Sequence, residues 1–110
     1  MATDIDGILV ALADPTRRAI VELLRQSPQR AGAVAAAFPV AAPTISRHLR
    51  VLRTHGLIEE QRDERDSRAR VYRLSEEPFQ HLGAWVDQVQ AVWRDQLGAF
   101  AEHVERLERS

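Results

Sequence analysis

Apolar positions recur every three or four residues over most of the chain, a spacing that predicts a succession of helices. In the stretch Ala42 to Ile58, Ile45, Leu49 and Leu52 fall at i, i+4 and i+7 and form one stripe, while Arg47, Arg50 and Thr54 project from the opposite side. Pro43 suits the first turn, where its missing N–H removes a donor that would lack a partner, and Gly56 suits the left-handed residue just past the end. The predicted helix is about three and a half turns long. Upstream, Ile5, Ile8, Leu9 and Leu12 share one face of a short helix over 5–13, which is expected to pack against something long. Asp14 caps a second helix with Pro15 at its first position, Ile20, Val21, Leu23 and Leu24 give it a core face, and Ser27 and Pro28 end it. A third helix, about Ala31 to Ala37, is alanine-rich, so the basic helix after it can approach closely. Arg30 and Ala42 stand where a capping side chain would add about 1 kcal/mol, so packing must hold these two helix starts.

The periodicity changes after Gly56. LIEEQRD, ERDS and RARVYRL read as strand, polar turn and strand, with Leu57 and Ile58 facing the core and Val71 to Leu74 alternating as a half-buried strand. Helical spacing then returns from Pro78 to Leu107, where Phe79, Leu82, Val86, Val89, Trp93, Leu97, Phe100, Val104 and Leu107 follow one another at gaps of three or four. A helix of about 30 residues extends about 45 Å, longer than a domain this small can cover. A second copy of the chain is the expected cover, since a stripe beside a two-fold axis buries itself against its own image. Trp85 and Val92 widen the face beyond a coiled-coil seam, and Gly83 or Gly98 offers a place for the helix to break in two.

With 110 residues and 45% hydrophobic content, the chain is expected to form one domain, with helix-turn-helix at 30–55, wing at 57–74 and a dimerisation helix at 78–107. No apolar run approaches the roughly 18 residues of a membrane span, and the expected location is the cytoplasm. Cysteine is absent, which excludes disulfides, thiolate metal ligands and thiol redox sensing. The net charge of −1 conceals an asymmetry: residues 42–73 carry eight Arg against five acidic residues, whereas 74–110 carry three against seven. All fifteen basic residues are Arg, which a GC-rich genome explains, although Arg also suits bidentate contacts to phosphate or guanine.

AVAAAFPVA, with its tight turn at Phe38 to Ala41, and the basic helix after it form a helix-turn-helix. No acidic residue lies between Pro43 and Gly56, so Arg47, Arg50 and Arg53 give that helix an undiluted positive field suited to a polyanion. Double-stranded DNA is the expected partner. Thr44, Ser46, Arg47, His48 and Arg50 are candidates for bases or nearby phosphates, and Arg65, Arg68 and Arg70 of the wing for phosphate or minor-groove contacts. His48 is read either as touching phosphate or as packing at the edge of the core. Ile5, Leu9, Phe79, Val89, Trp93, Leu97, Phe100 and Val104 are the candidates for the homodimer interface. Phe79, Trp85 and Trp93 read as dimer core rather than as a ligand pocket, and no inducer is assigned. Catalysis is not expected: Ser46 and His48 are two apart on a helix and do not face each other, and no carboxylate orients the histidine. The alternative readings are a winged-helix protein-interaction module using the acidic tail, or a metal-responsive repressor with an atypical site.

These residues resemble the ArsR family of bacterial winged-helix repressors over nearly the full length. ALADPTRRAIVELL at 11–24 is similar to the family's opening helix pair, and TISRHLRVLRTHGLIEEQRD at 44–63 to its recognition helix and first wing strand. The resemblance implies a mainly helical fold with a small two-stranded wing and dimerisation helices at both ends. It also implies a homodimeric repressor on a short inverted repeat, with the recognition helix in the major groove. The family's metal pattern on the C-terminal helix, D-x-H, ten residues, then H-x-x-E or H, leaves only Asp87 and His103 here, because Val89 and Phe100 take the inner positions. His81 and Glu102 lie nearby, but zinc wants four ligands, and neither a metal nor another cofactor is expected.

Overall fold

The computed structural model describes residues 4–109. Its elements run α1 (Ile5–Leu12), α2 (Pro15–Gln26), β1 (Gln29–Arg30), α3 (Ala31–Ala36), α4 (Ala42–Thr54), β2 (Ile58–Arg62), β3 (Arg70–Leu74) and α5 (Glu76–Arg109).

Several helix boundaries have a local cause. Asp14 accepts from the backbone N–H groups of Thr16 (2.8 Å) and Arg17 (3.1 Å) and so caps α2, with Pro15 at the first position. The last carbonyls of α1 face no basic residue of their own helix. Instead Arg17 reaches back to donate to Ala11 O (2.6 Å) and Val10 O (3.1 Å), and Arg18 donates to Leu12 O (2.8 Å). Two cations thus sit at the negative end of that helix. Neither α3 nor α4 has a side-chain cap; the capping position of α4 is Ala41, one residue before the expected Ala42, and is likewise alanine. At the other end of α4, Gly56 takes φ +77°, its N–H bonds Arg53 O (3.0 Å), and Leu57 N–H bonds Leu52 O (2.9 Å). This pair of bonds is a Schellman motif, which only a residue tolerant of the left-handed region closes cheaply.

One cluster joins the elements: Ile8 and Ala11 of α1, Ile20, Val21 and Leu24 of α2, Val34 of α3, Ile45, Leu49 and Leu52 of α4, and Leu57 and Ile58 at the start of the wing are all buried. Full burial of a large apolar side chain stabilises by about 1.5 to 3 kcal/mol, so this cluster fixes how α4 sits on α2 and α3. Of the expected α1 face, Ile8 is buried and Ile5 and Leu12 pack partly on the core, but Leu9 is exposed, while Gly7 and Ala11 are buried as well. The cause is a close approach at Gly7, where a Cβ would stand 2.6 Å from Nδ1 of His55. The helix has turned this bare spot toward the end of α4.

The sheet has three strands, not two, in the order β1-β3-β2 and antiparallel throughout. β2 and β3 pair from Ile58↔Leu74 to Arg62↔Arg70, and the two-residue β1 pairs Gln29 with Tyr72 and Arg30 with Val71. A strand of two residues has no alternation to read, but it covers an edge of β3 that would otherwise present unpaired backbone groups.

α5 is one unbroken helix of 34 residues, about 51 Å long, and neither Gly83 nor Gly98 interrupts it. Phe79 and Leu82 near its start pack on the core, and α1 packs against α5. Beyond Leu82 its apolar residues are exposed, save a half-buried Val104. The radius of gyration is accordingly 20.2 Å, against about 13 Å for a compact chain of this length.

Candidate nucleic-acid interface

α4 turns Ile45, Leu49 and Leu52 inward, which leaves Ser46, Arg47 and Arg50 exposed on its outer side and Thr44 half-buried at the flank. Among the described residues, neither Arg47 nor Arg50 has an acidic partner. Arg53 does: its guanidinium pairs with Glu60 of β2, so the positive field of α4 is diluted at its C-terminal end by an acid that sequence proximity does not reveal. His48 is half-buried and faces the scaffold, its Nδ1 lying 3.3 Å from Nη1 of Arg17.

In the wing, the turn between β2 and β3 is shaped by two aspartates. Asp63 accepts from the N–H of Arg65 (2.9 Å) and Asp66 from that of Arg68 (3.0 Å), which leaves both guanidinia in solvent without an acidic partner among the described residues. Asp63 also accepts from Arg30 Nε (2.7 Å), which ties the wing to the start of α3. The N–H of Arg65, followed by the Arg30 guanidinium, holds the Asp63 carboxyl below its ordinary value of 3.8. Arg70 pairs with Glu60 (3.2 Å), the acid that also holds Arg53. Of the wing arginines expected to meet DNA, Arg65 and Arg68 are free and Arg70 is engaged within the chain.

The residues expected at a dimer interface also divide. Ile5 and Phe79 are half-buried against the chain's own core, whereas Leu9, Val89, Trp93, Leu97 and Phe100 are exposed. Phe79 lines an open groove of about 580 Å³ with Val21 and Leu74, and neither Trp85 nor Trp93 reaches it. Among the described residues, no three of His, Asp and Glu come together to hold a metal ion, and no helix is long and apolar enough to cross a membrane.

A helix-turn-helix domain family matches residues 12–61, from the end of α1 to the wing. The crystal structure of an ArsR family transcriptional regulator is similar over most of the fold, with a TM-score of 0.73 and 33% identity, covering 82% of this chain and 96% of that one. The chain belongs to the ArsR family. Its fold is the winged helix-turn-helix, mainly helical with a small antiparallel sheet. A further ArsR relative, a possible ArsR-family regulator from Mycobacterium bovis, was solved as a homodimeric winged helix-turn-helix DNA-binding domain; it has a TM-score of 0.59 and 27% identity, covering 84% of this chain and 81% of that one. An HTH-type transcriptional regulator of Mycobacterium tuberculosis, Rv2034, is 52% identical over 48 residues, which are 44% of this chain and 45% of that protein. The matches span about half the length of the curated relatives. In this ArsR chain, sequence reasoning missed Arg17, Arg30 and Glu60. DPTRR at 14–18 held a signal for the first, a cap followed at once by two cations that can reach back to the preceding helix end. The other two pair across 33, 7 and 10 residues of chain and left no local trace.

Proposed function

We propose that this protein is a homodimeric transcriptional repressor that binds double-stranded DNA at an inverted repeat, with α4 in the major groove and the wing on flanking phosphates. One observation carries this reading: α4 is anchored along its whole inner face and presents Arg47 and Arg50, unpaired among the described residues, on its outer face. A helix so held fits the width of the major groove, and Arg is the side chain that most often reads guanine there. Arg65 and Arg68 flank the helix at the wing tip as phosphate ligands. Ser46 and Thr44 lie near Arg47 on the first half of the helix, the part that meets base edges in helix-turn-helix docking. The exposed stripe of α5 supplies the dimer contact, as the homodimeric M. bovis relative supports. A dimer seated across a promoter represses by occlusion, in the cytoplasm where bacterial DNA lies.

The two classes of arginine separate in one experiment. On the tightest fragment selected from genomic DNA, Arg47→Ala costs roughly 1 to 3 kcal/mol and blurs preference at one base position. Arg68→Ala weakens binding to all sequences alike and lowers the salt slope by about one unit. Equal, salt-independent affinity of wild type and Arg47→Ala for DNA overturns the proposal.

A further inference from the structure

Glu60 stands where the recognition helix and the wing meet. It shares one face of the hairpin with Ile58 and Arg62, and its neighbours across the strands are Tyr72 directly and Arg70 on the diagonal. That face grades from apolar at the root, where Ile58 is buried, to basic at the tip, where Arg62 and Arg70 are exposed, and Glu60 lies at the transition. One carboxylate oxygen takes the guanidinium of Arg53 from the last turn of α4, and the other takes Nε of Arg70 from β3 at 3.2 Å. The carboxylate is only one-fifth exposed, while the two guanidinia remain about half exposed. A single half-buried acid therefore occupies two arginines that would otherwise be free at the edge of the DNA-facing surface. The remaining free cations of that surface, Arg47, Arg50, Arg65 and Arg68, have no such tie among the described residues.

Resting on the DNA-binding reading above, we propose that Glu60 is a positioning residue that limits sequence-independent affinity for DNA. It fixes the wing against α4 and withholds Arg53 and Arg70 from phosphate, so that sequence-independent affinity, and with it capture by random DNA, is kept low. Phosphate contacts supply nearly all of non-specific affinity and carry no sequence information, and each one adds about 0.9 unit to the salt slope. Withholding two such contacts lowers affinity for every sequence alike, and on random DNA, where base contacts are missing, phosphate contacts are nearly all that holds the protein.

The test compares Glu60→Gln with Glu64→Gln, which makes the same charge change at an exposed acid of the wing turn that has no ion pair. The probes are a mixed-sequence 30-bp duplex and the tightest fragment selected by wild type. Glu60→Gln is expected to tighten binding to both duplexes about three- to tenfold and steepen both salt slopes by about one to two units, leaving the specificity ratio within about twofold of wild type. Glu64→Gln is expected to change binding less than about twofold with an unaltered slope. Arg53→Gln closes the cycle: nearly silent on mixed-sequence DNA in the wild-type background, it removes about half of the gain in the Glu60→Gln background, which a general loosening of the fold does not do. Indistinguishable affinities and slopes for Glu60→Gln and Glu64→Gln, or an Arg53→Gln effect equal in both backgrounds, overturn the role of Glu60 while DNA binding stands. A wild-type protein that binds neither duplex overturns both readings.

Discussion

Replacing Leu97 and Phe100 together by glutamate is expected to convert the proposed dimer into a folded monomer. In the isolated chain Val89, Trp93, Leu97 and Phe100 are 51, 62, 50 and 67% exposed. Full burial of a large apolar side chain stabilises by about 1.5 to 3 kcal/mol, so covering the open half to two thirds of each adds about 1 to 2 kcal/mol per residue. Both chains contribute, and Leu97 with Phe100 therefore accounts for about 4 to 8 kcal/mol of the dimer contact. Association first costs about 4 to 15 kcal/mol in lost translational and rotational freedom, so only the surplus over that cost holds the dimer. Even the lower figure weakens the dimer roughly a thousandfold, and enclosing four carboxylates adds a desolvation cost. The core is untouched, since its buried residues lie between Ile8 and Ile58 and the last residue of α5 packed on them is Leu82. Sedimentation at micromolar concentration, beside a thermal melt followed by circular dichroism, reads both halves of the expectation. Operator affinity should fall by more than any single wing substitution causes. A double mutant that remains dimeric, or a monomeric wild type that binds an inverted repeat at full strength, refutes the assignment of α5.

Two further outcomes follow from the scaffold. Gly7→Ala gains up to about 1 kcal/mol of helix propensity but drives a methyl into His55, an overpacking cost of about 1 to 3 kcal/mol, so chemical denaturation should show net destabilisation. In a His55→Ala background the same substitution should turn neutral or stabilising, and an unchanged sign there would show that the ring is not the obstacle. The N–H of Arg17, helped by that of Thr16, holds the Asp14 carboxyl below its ordinary 3.8 despite some desolvation. The resulting stability is complete above that ordinary value and is lost as pH falls through the lowered folded value. Asp14→Asn, which keeps a cap but cannot titrate, should flatten the dependence of melting temperature on pH below about 4, and an undiminished slope would locate the acid sensitivity elsewhere.

What the sequence revealed was whatever neighbours in the chain determine. Asp14 with Pro15, the Ile45, Leu49 and Leu52 stripe, and Gly56 as the left-handed stop each act within a turn or two, and the structure places all of them as their spacing predicts. The long C-terminal stripe was legible for the same reason, though its helix runs on from Glu76 to Arg109 because the glycines within it meet no competing structure. What stayed hidden depends on contacts between distant segments. β1 exists only because β3 offers it an edge, Leu9 is exposed because Gly7 decides which side of α1 meets His55, and the charge of Arg53 is met by a strand the helix periodicity says nothing about. For the DNA-facing surface this matters most, since counting arginines along the chain overstates the free positive charge.

The continuity of α5 bears on operator architecture as well as on assembly. In the proposed dimer, each winged helix is joined to its pairing stripe by a stiff rod with no hinge along its length. Half-sites about 34 Å apart place each recognition helix about 17 Å from the two-fold axis, and at that radius a turn of about 10° moves it by about 3 Å. One base pair rises about 3.4 Å per step, so even a small twist between the two rods puts both helices out of phase with their grooves. On the proposed dimer reading, the rods set the distance between half-sites mechanically, and a promoter with the right bases at the wrong spacing is expected to bind weakly.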